Sequence, residues 1–238
     1  MTAVAVGAVS APELLDAWEA GWDRDPLRRG LALHAVALRT TAATAAAVPV
    51  GHRDRVLFAL RAALFGTSVD AVSRCPGCGT EVEVAFDQEE LLALDEAGPE
   101  TGETVTMRED GQDFRVRMPT SADLAAVLDS GTPAPQEALV RRCVPAGEPG
   151  PTADAVAEAW AAADPLIDLR IGLACPDCGL AWEEPFDIVG FLWAELDAWG
   201  RRTLLEVHEL ARAYGWSEAD ALALSPWRRQ CYLGLVGT

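Results

Sequence analysis

Two copies of one cysteine motif lie 100 residues apart in this chain of 238 residues. The first copy starts at Cys75 and the second at Cys175, and both follow the pattern Cys-Pro-x-Cys-Gly-x3-Glu-x2-Phe-Asp, ending at Asp87 and Asp187. A match of this length without gaps indicates an internal repeat. Any fold of the chain therefore has to accommodate two copies of the same turn.

Each Cys-x-x-Cys turn presents two thiolates on one side, because the proline stiffens the turn and the glycine permits a positive φ. Zinc in structural sites takes four ligands in a tetrahedron. Together the two turns, or knuckles, predict one structural zinc per chain, with no coordination position left for water. The predicted ligands are Cys75, Cys78, Cys175 and Cys178.

Two other roles of the paired cysteines stay open at this point, a redox Cys-x-x-Cys and a pair of disulfides. A thioredoxin-type redox site requires one such motif in a βαβ context, and neither condition holds here. The other cysteines, Cys143 and Cys231, lie in helical patterns and are predicted to act as small apolar side chains.

Residues 1–70 are predicted to form an N-terminal helical segment. Ser10 and Glu13 have the spacing of a capping box at the start of a first helix. Asp25 followed by Pro26 is typical of an N-cap and the first position of a second helix. Apolar periodicity places these helices at residues 11–22 and 26–38 and a third helix at 52–64.

Residues 71–185 are predicted to form a zinc-ribbon-like region with a hairpin and a helical insertion. Alternating apolar side chains predict strands at 82–86 and 167–173, each next to a cysteine pair. The Asp110-Gly111 step between two further alternating segments favours a tight hairpin.

Residues 186–238 are predicted to form a C-terminal helical segment, and the three segments are expected to form one compact unit. Its long helix ends at Gly215, unless Gly200 splits it in two, and two short helices follow. The predicted fold class is α+β, mostly helical, with a zinc-ribbon-like β region built from the two knuckles and a long C-terminal helix.

Charge and hydropathy exclude several classes of function. The net charge of −18 repels phosphate backbones, so nucleic-acid binding is not expected. No segment reaches the roughly 18 uninterrupted apolar residues of a membrane span, and the N-terminus lacks the basic region of a signal peptide. We expect no membrane contact and a cytoplasmic location. The chain has no nucleophile-elbow, P-loop or dinucleotide-binding motif, so we predict that it is not an enzyme.

Aromatic and arginine side chains concentrate near the C-terminus. Trp, Tyr and Arg dominate the hot spots of protein interfaces, so this segment is predicted to bind a partner protein. Packing of its tryptophans against the end of the long helix is the alternative. The predicted partner-binding residues are Tyr214, Trp216, Trp227, Arg228 and Arg229.

The run from Glu206 to Glu218, the segment from Ala223 to Leu233 and the doubled knuckle together resemble the T4-like phage baseplate protein family. Proteins of this family occur in contractile-tailed phages and in extracellular contractile injection systems. The resemblance extends from about Trp18 to Val236, and the C-terminal run and the knuckles are its most specific parts.

The resemblance implies a baseplate component or a baseplate-hub assembly factor whose partners are baseplate or hub subunits. Assembly would take place in the cytoplasm, and the motifs leave open whether the protein stays in the finished particle. The alternative is a zinc-ribbon module that binds nucleic acid or takes part in transcription, against which the acidic charge counts.

Overall fold

The structure is a computed structural model that describes residues 6–93, 104–145 and 150–236. Its N-terminal part is helical, as predicted. Ser10 and Glu13 form the expected capping box, and Asp25 caps the second helix through the backbone N–H of Arg28. The helices are α1 (Ala11–Gly21), α2 (Pro26–Leu38), α3 (Ala42–Ala46) and α4 (Val50–Phe65).

The described strands form three separate antiparallel pairs. The predicted turn at Asp110 and Gly111 is confirmed, since both residues have positive φ, 49° and 80°, as a type I′ hairpin requires. The pairs are β1 (Ser68–Arg74) with β2 (Glu81–Asp87), β3 (Thr104–Glu109) with β4 (Gln112–Arg117), and β5 (Arg170–Ala174) with β6 (Ala181–Pro185).

Between the first and last strand pairs the chain forms an insertion with its own apolar cluster. Helices α7 and α8 pack against the β3–β4 hairpin, and Trp160 also donates a hydrogen bond to the carbonyl of Arg117 at 3.1 Å. The buried members of this cluster are Phe114, Val116, Met118, Val140, Cys143, Val156 and Trp160. The helices of this region are α5 (Gln88–Ala93), α6 (Ser121–Ser130), α7 (Pro135–Cys143) and α8 (Ala153–Ala163).

The long C-terminal helix, α9 (Ile188–Tyr214), is continuous over 27 residues. Gly200 does not split it; instead this glycine lets the ring of Trp18 approach, and a Cβ there would lie 3.0 Å from the ring. The helix ends at Gly215 in the left-handed conformation, as predicted. Two more helices follow, α10 (Glu218–Ala223) and α11 (Pro226–Val236).

The main core joins the N-terminal helices to the first half of α9. Its largest fully buried members include Leu33 of α2, Phe58 of α4, and Leu192 and Leu196 of α9. A smaller cluster joins α1 to the second half of α9 and to α10 through Leu15, Leu210 and Ala221. The long helix is therefore the element against which both ends of the chain pack.

One local prediction was wrong in part, and one strand was missed. The first part of the predicted strand at 167–173 is a 3-10 helix, Pro165–Asp168, because Asp164 caps it through the backbone N–H of Leu166 and proline fixes its first position. Strand β1, before the first knuckle, was not predicted.

No helix in the part of the chain that the structure describes has the length and hydropathy to cross a bilayer.

Candidate metal centre

Each knuckle is the turn of a β-hairpin. In the first, the backbone N–H of Cys75 donates to the carbonyl of Thr80, and the N–H of Gly79 donates to the carbonyl of Cys75, both at 2.9 Å. The second knuckle repeats these bonds from Cys175 and Gly179, at 2.8 and 3.0 Å. The sequence repeat is therefore also a structural repeat.

Glycine is required after the second cysteine of each knuckle. Gly79 has a φ of 79° and Gly179 a φ of 73°, in the left-handed region that other residues rarely adopt. The predicted role of these glycines is confirmed. The turn folds back at this point and leaves the two cysteines of a knuckle facing the same side.

The two cysteine pairs are 100 residues apart in sequence, but their four sulfurs lie close together in the structure. The Sγ atoms of Cys75 and Cys178 are 3.7 Å apart, and those of Cys78 and Cys175 are 3.5 Å apart. All four ligand atoms lie within 4.8 Å of one another. A zinc–sulfur bond of about 2.3 Å gives tetrahedral sulfur–sulfur edges of about 3.8 Å. The four sulfurs therefore fit one tetrahedral metal ion.

The site is half covered by protein. The first cysteine of each knuckle is buried, at 2% exposure for Cys75 and 3% for Cys175, whereas the second is exposed. The hydroxyl of Thr80 donates to Oδ2 of Asp177 at 2.7 Å and so links the two knuckles directly. This bond holds the hairpins together beside the sulfurs.

The ionisation of the thiols also favours a cation. Hydrogen bonding of the Cys78 sulfur with the hydroxyl and the backbone of Thr80 lowers the pKa of Cys78 to about 6. The N–H of Leu180 points at the Cys178 sulfur and lowers its pKa, but hydrogen bonds of the Cys178 thiol to the neighbouring cysteine sulfurs, Cys78 above all, outweigh this and raise the pKa to about 12. Four thiolates this close can all be ionised only around a positive ion.

Comparison with models of protein families, with curated proteins and with solved structures finds no match for this chain. The kind of site is therefore inferred from its ligand atoms alone. These are four cysteine sulfurs close enough to bind one metal ion in a tetrahedron. Such a closed set of thiolates is typical of structural rather than catalytic metal centres.

The predicted partner-binding residues fall into three groups. Tyr214 stacks on Trp216 at 4.7 Å between ring centroids, and the Trp216 ring also meets Tyr232 edge-on at 4.8 Å. These aromatic rings pack within the C-terminal part, which fits the alternative given above. Trp227, at 80% exposure, and Arg228 lie on the surface of α11.

Arg229 does not belong to this surface. It is 3% exposed, and its guanidinium pairs with Glu206 of α9 at 3.0 Å and donates to the carbonyl of Leu224. Consecutive helical residues point about 100° apart, so Arg228 faces solvent while Arg229 faces α9. The guanidinium of Arg229 ties α11 to the long helix and is not available to a partner.

A buried histidine was not singled out by sequence reasoning. His34 of α2 is 1% exposed, and neither ring nitrogen has a hydrogen-bond partner within the described structure. Burial, together with the nearby charges of His52 and Arg53, lowers the pKa of His34 to about 4. The neutral imidazole is the form that the core accepts.

Acid should therefore destabilise the protein through His34. The unfolded chain, with an ordinary histidine pKa of about 6.5, binds this proton below pH 6.5, whereas the folded chain resists it down to about pH 4. Between pH 7 and pH 4.5, we expect the free energy of unfolding of the wild type to fall by about 2 to 3 kcal/mol more than that of His34→Leu.

Urea unfolding at both pH values measures this difference, with the exposed His208→Leu as the matched control. Equal pH dependence in wild type and His34→Leu would show that the buried imidazole is not the acid-sensitive group.

Proposed function

We propose that this protein is a non-enzymatic baseplate component or baseplate assembly factor of a contractile phage-tail-like injection system. The resemblance of the C-terminal run and of the doubled knuckle supports this family. The proposal places the protein in the cytoplasm while the particle is built, with baseplate or hub subunits as partners.

The proposed metal is one structural zinc per chain. Four thiolates in tetrahedral reach are the donor set that zinc takes in structural sites. The proposed zinc joins the β1–β2 hairpin to the β5–β6 hairpin in a zinc-ribbon-like unit, and the chain between them becomes an insertion in that unit. Its task there is to hold the two hairpins in register.

The exposed tryptophan on α11 is the observation that carries the partner-binding role. Trp227 leaves 80% of its surface in solvent, and Leu235, two turns further along the same helix, leaves 62%. A tryptophan this exposed gains little for the fold but is the residue type that contributes most at interfaces. The adjacent Arg228 adds a cation to an otherwise acidic protein and favours an acidic patch on the partner.

Replacement of Trp227 and Arg228 by alanine should separate binding from folding. Because both side chains are exposed, we expect the melting temperature of the isolated protein to change by less than about 2 °C. Loss of a hot-spot tryptophan typically costs at least 2 kcal/mol of binding, which is about thirtyfold. Co-purification of baseplate subunits, quantified by mass spectrometry after affinity capture, should fall by about that factor.

The matched control is Leu128→Ala, which removes an apolar side chain on α6 that is 67% exposed. This variant should co-purify baseplate subunits like wild type. If the variant with Trp227→Ala and Arg228→Ala co-purifies baseplate subunits as well as wild type does, α11 does not bind the partner. Wild-type protein that captures no baseplate subunit but shifts DNA or RNA in an electrophoretic assay would favour the nucleic-acid alternative.

A further inference from the structure

A groove of about 480 Å³ runs between the two knuckle hairpins. One wall is formed by β1, from Ala71 to Arg74, together with Val84 of β2, and the other is the face of the β5–β6 hairpin that carries Ile171 and Leu173. Phe186 and Phe191 lie at the end nearest α9. The groove is open to solvent, and its lining is mixed: Ser73, Arg74, Glu184 and Asp187 lie beside the apolar side chains.

The aromatic end of the groove is held by packing from three sides. The Phe186 ring lies 6.0 Å from Phe58 in the main core, 5.4 Å from Phe86 of β2 and 5.3 Å from Phe191 of α9. A ring fixed by three neighbours in this way is preorganised, and a preformed apolar surface lowers the cost of binding.

Glu184 places a carboxylate on the β6 side of this groove. Its Oε2 accepts hydrogen bonds from the Ser73 hydroxyl at 3.2 Å and from the Trp182 indole N–H at 3.0 Å. No arginine or histidine forms an ion pair with Glu184 in the described ranges. A half-buried carboxylate with neutral donors and no cation is complementary to a basic side chain.

The outer edge of β1 is also available for pairing. β1 pairs with β2 on one side, and on the other its residues 69–74 make no backbone hydrogen bond to another described segment. Val72, in the middle of this edge strand, is 64% exposed. Proteins usually protect such an edge, and an extended peptide can add to it as a further strand.

We infer that this groove binds an extended segment of a partner protein in which apolar side chains alternate with polar ones and one side chain is basic. The segment adds to the free edge of β1, its apolar side chains meet Ile171, Leu173 and Phe186, and its cation meets Glu184. The inference rests on the proposed function in so far as it takes the protein to be one that binds other proteins.

The test uses an mRNA-displayed library of random dodecapeptides and the zinc-loaded full chain. We expect enriched peptides to combine Val, Ile or Thr in alternation with one Arg or Lys. Glu184→Gln should weaken the selected peptide about tenfold, the value of one charge-assisted contact. Glu183→Gln, on the opposite face of the same strand, is the matched control and should bind like wild type.

A second measurement does not depend on variants. In the NMR spectrum of the wild-type protein, the selected peptide should shift the amides of residues 71–74 and the indole N–H of Trp182. Failure to enrich any peptide, equal binding by Glu184→Gln and Glu183→Gln, or shifts confined to another surface would each overturn the inference. Because the library contains no baseplate subunit, these results are separable from failure of the proposed function, which the co-purification experiment reports.

Discussion

Cys175→Ser protein should not hold the proposed zinc and should melt about 10 °C below wild type. A metal present at a thousand times its dissociation constant adds about 4 kcal/mol to the free energy of unfolding. In a chain of this size, each kcal/mol moves the melting temperature by about 2 to 4 °C. The loss of structure in this variant should concentrate in the two knuckle hairpins, because the main core is built chiefly from the helices. The NMR signal of the Trp182 indole N–H should therefore change before the helical circular dichroism does.

Elemental analysis and thermal melts of the same samples provide the measurement. Cys231→Ser is the matched control, since Cys231 is exposed on α11 and lies outside the cysteine cluster. It should keep one zinc per chain and the wild-type melting temperature. Wild-type protein without zinc, or Cys175→Ser with unchanged stability, would rule out the metal centre.

Arg61→Met should be the most damaging single change outside the metal centre. Arg61 is 2% exposed, and its guanidinium forms two bonds of 2.9 Å to the carboxylate of Glu195. It also donates to the carbonyls of Gly66 and Ser68 at 3.0 and 2.7 Å. One side chain thus connects α4, the start of β1 and α9. Removal of one partner from a buried pair costs about 3 to 5 kcal/mol.

The expected effect lies toward the lower end of that range, because the Glu195 side chain is 27% exposed and can be rehydrated. A fall in melting temperature of about 6 to 12 °C follows from 3 kcal/mol. Arg201→Met, which removes an exposed i,i+4 pair with Asp197 on the same helix α9, should stay within about 2 °C of wild type. Equal effects of the two substitutions would show that the contacts of Arg61 add nothing to stability.

The four-cysteine cluster was predictable from the sequence because its information is local. Each knuckle has its own proline, glycine and pair of thiols, and the repetition itself indicated that the two pairs belong together. Helix ends were predictable for the same reason: Ser10, Asp25 and Gly215 act on backbone groups within a few residues.

Features that depend on distant partners were not predictable. The difference between Arg228 and Arg229 is set by the side of α11 that meets Glu206, a residue 23 positions away from Arg229. β1 has little alternation of its own and is defined by pairing with β2. The contacts of Arg61 likewise require the packed arrangement, although a single arginine within an apolar helical run was a signal that could have been followed.

The insertion between the knuckles has a consequence for the order of folding. Cys78 and Cys175 are separated by 97 positions, and the entropy of closing so long a flexible loop opposes early contact by about 4 kcal/mol. The insertion has its own apolar cluster, which includes Phe114, Val116 and Trp160, and its collapse shortens the effective loop before the sulfurs meet. We expect the metal to bind late in folding, after the two hairpins have come close, and to stabilise their contact. It does not then act as the folding nucleus.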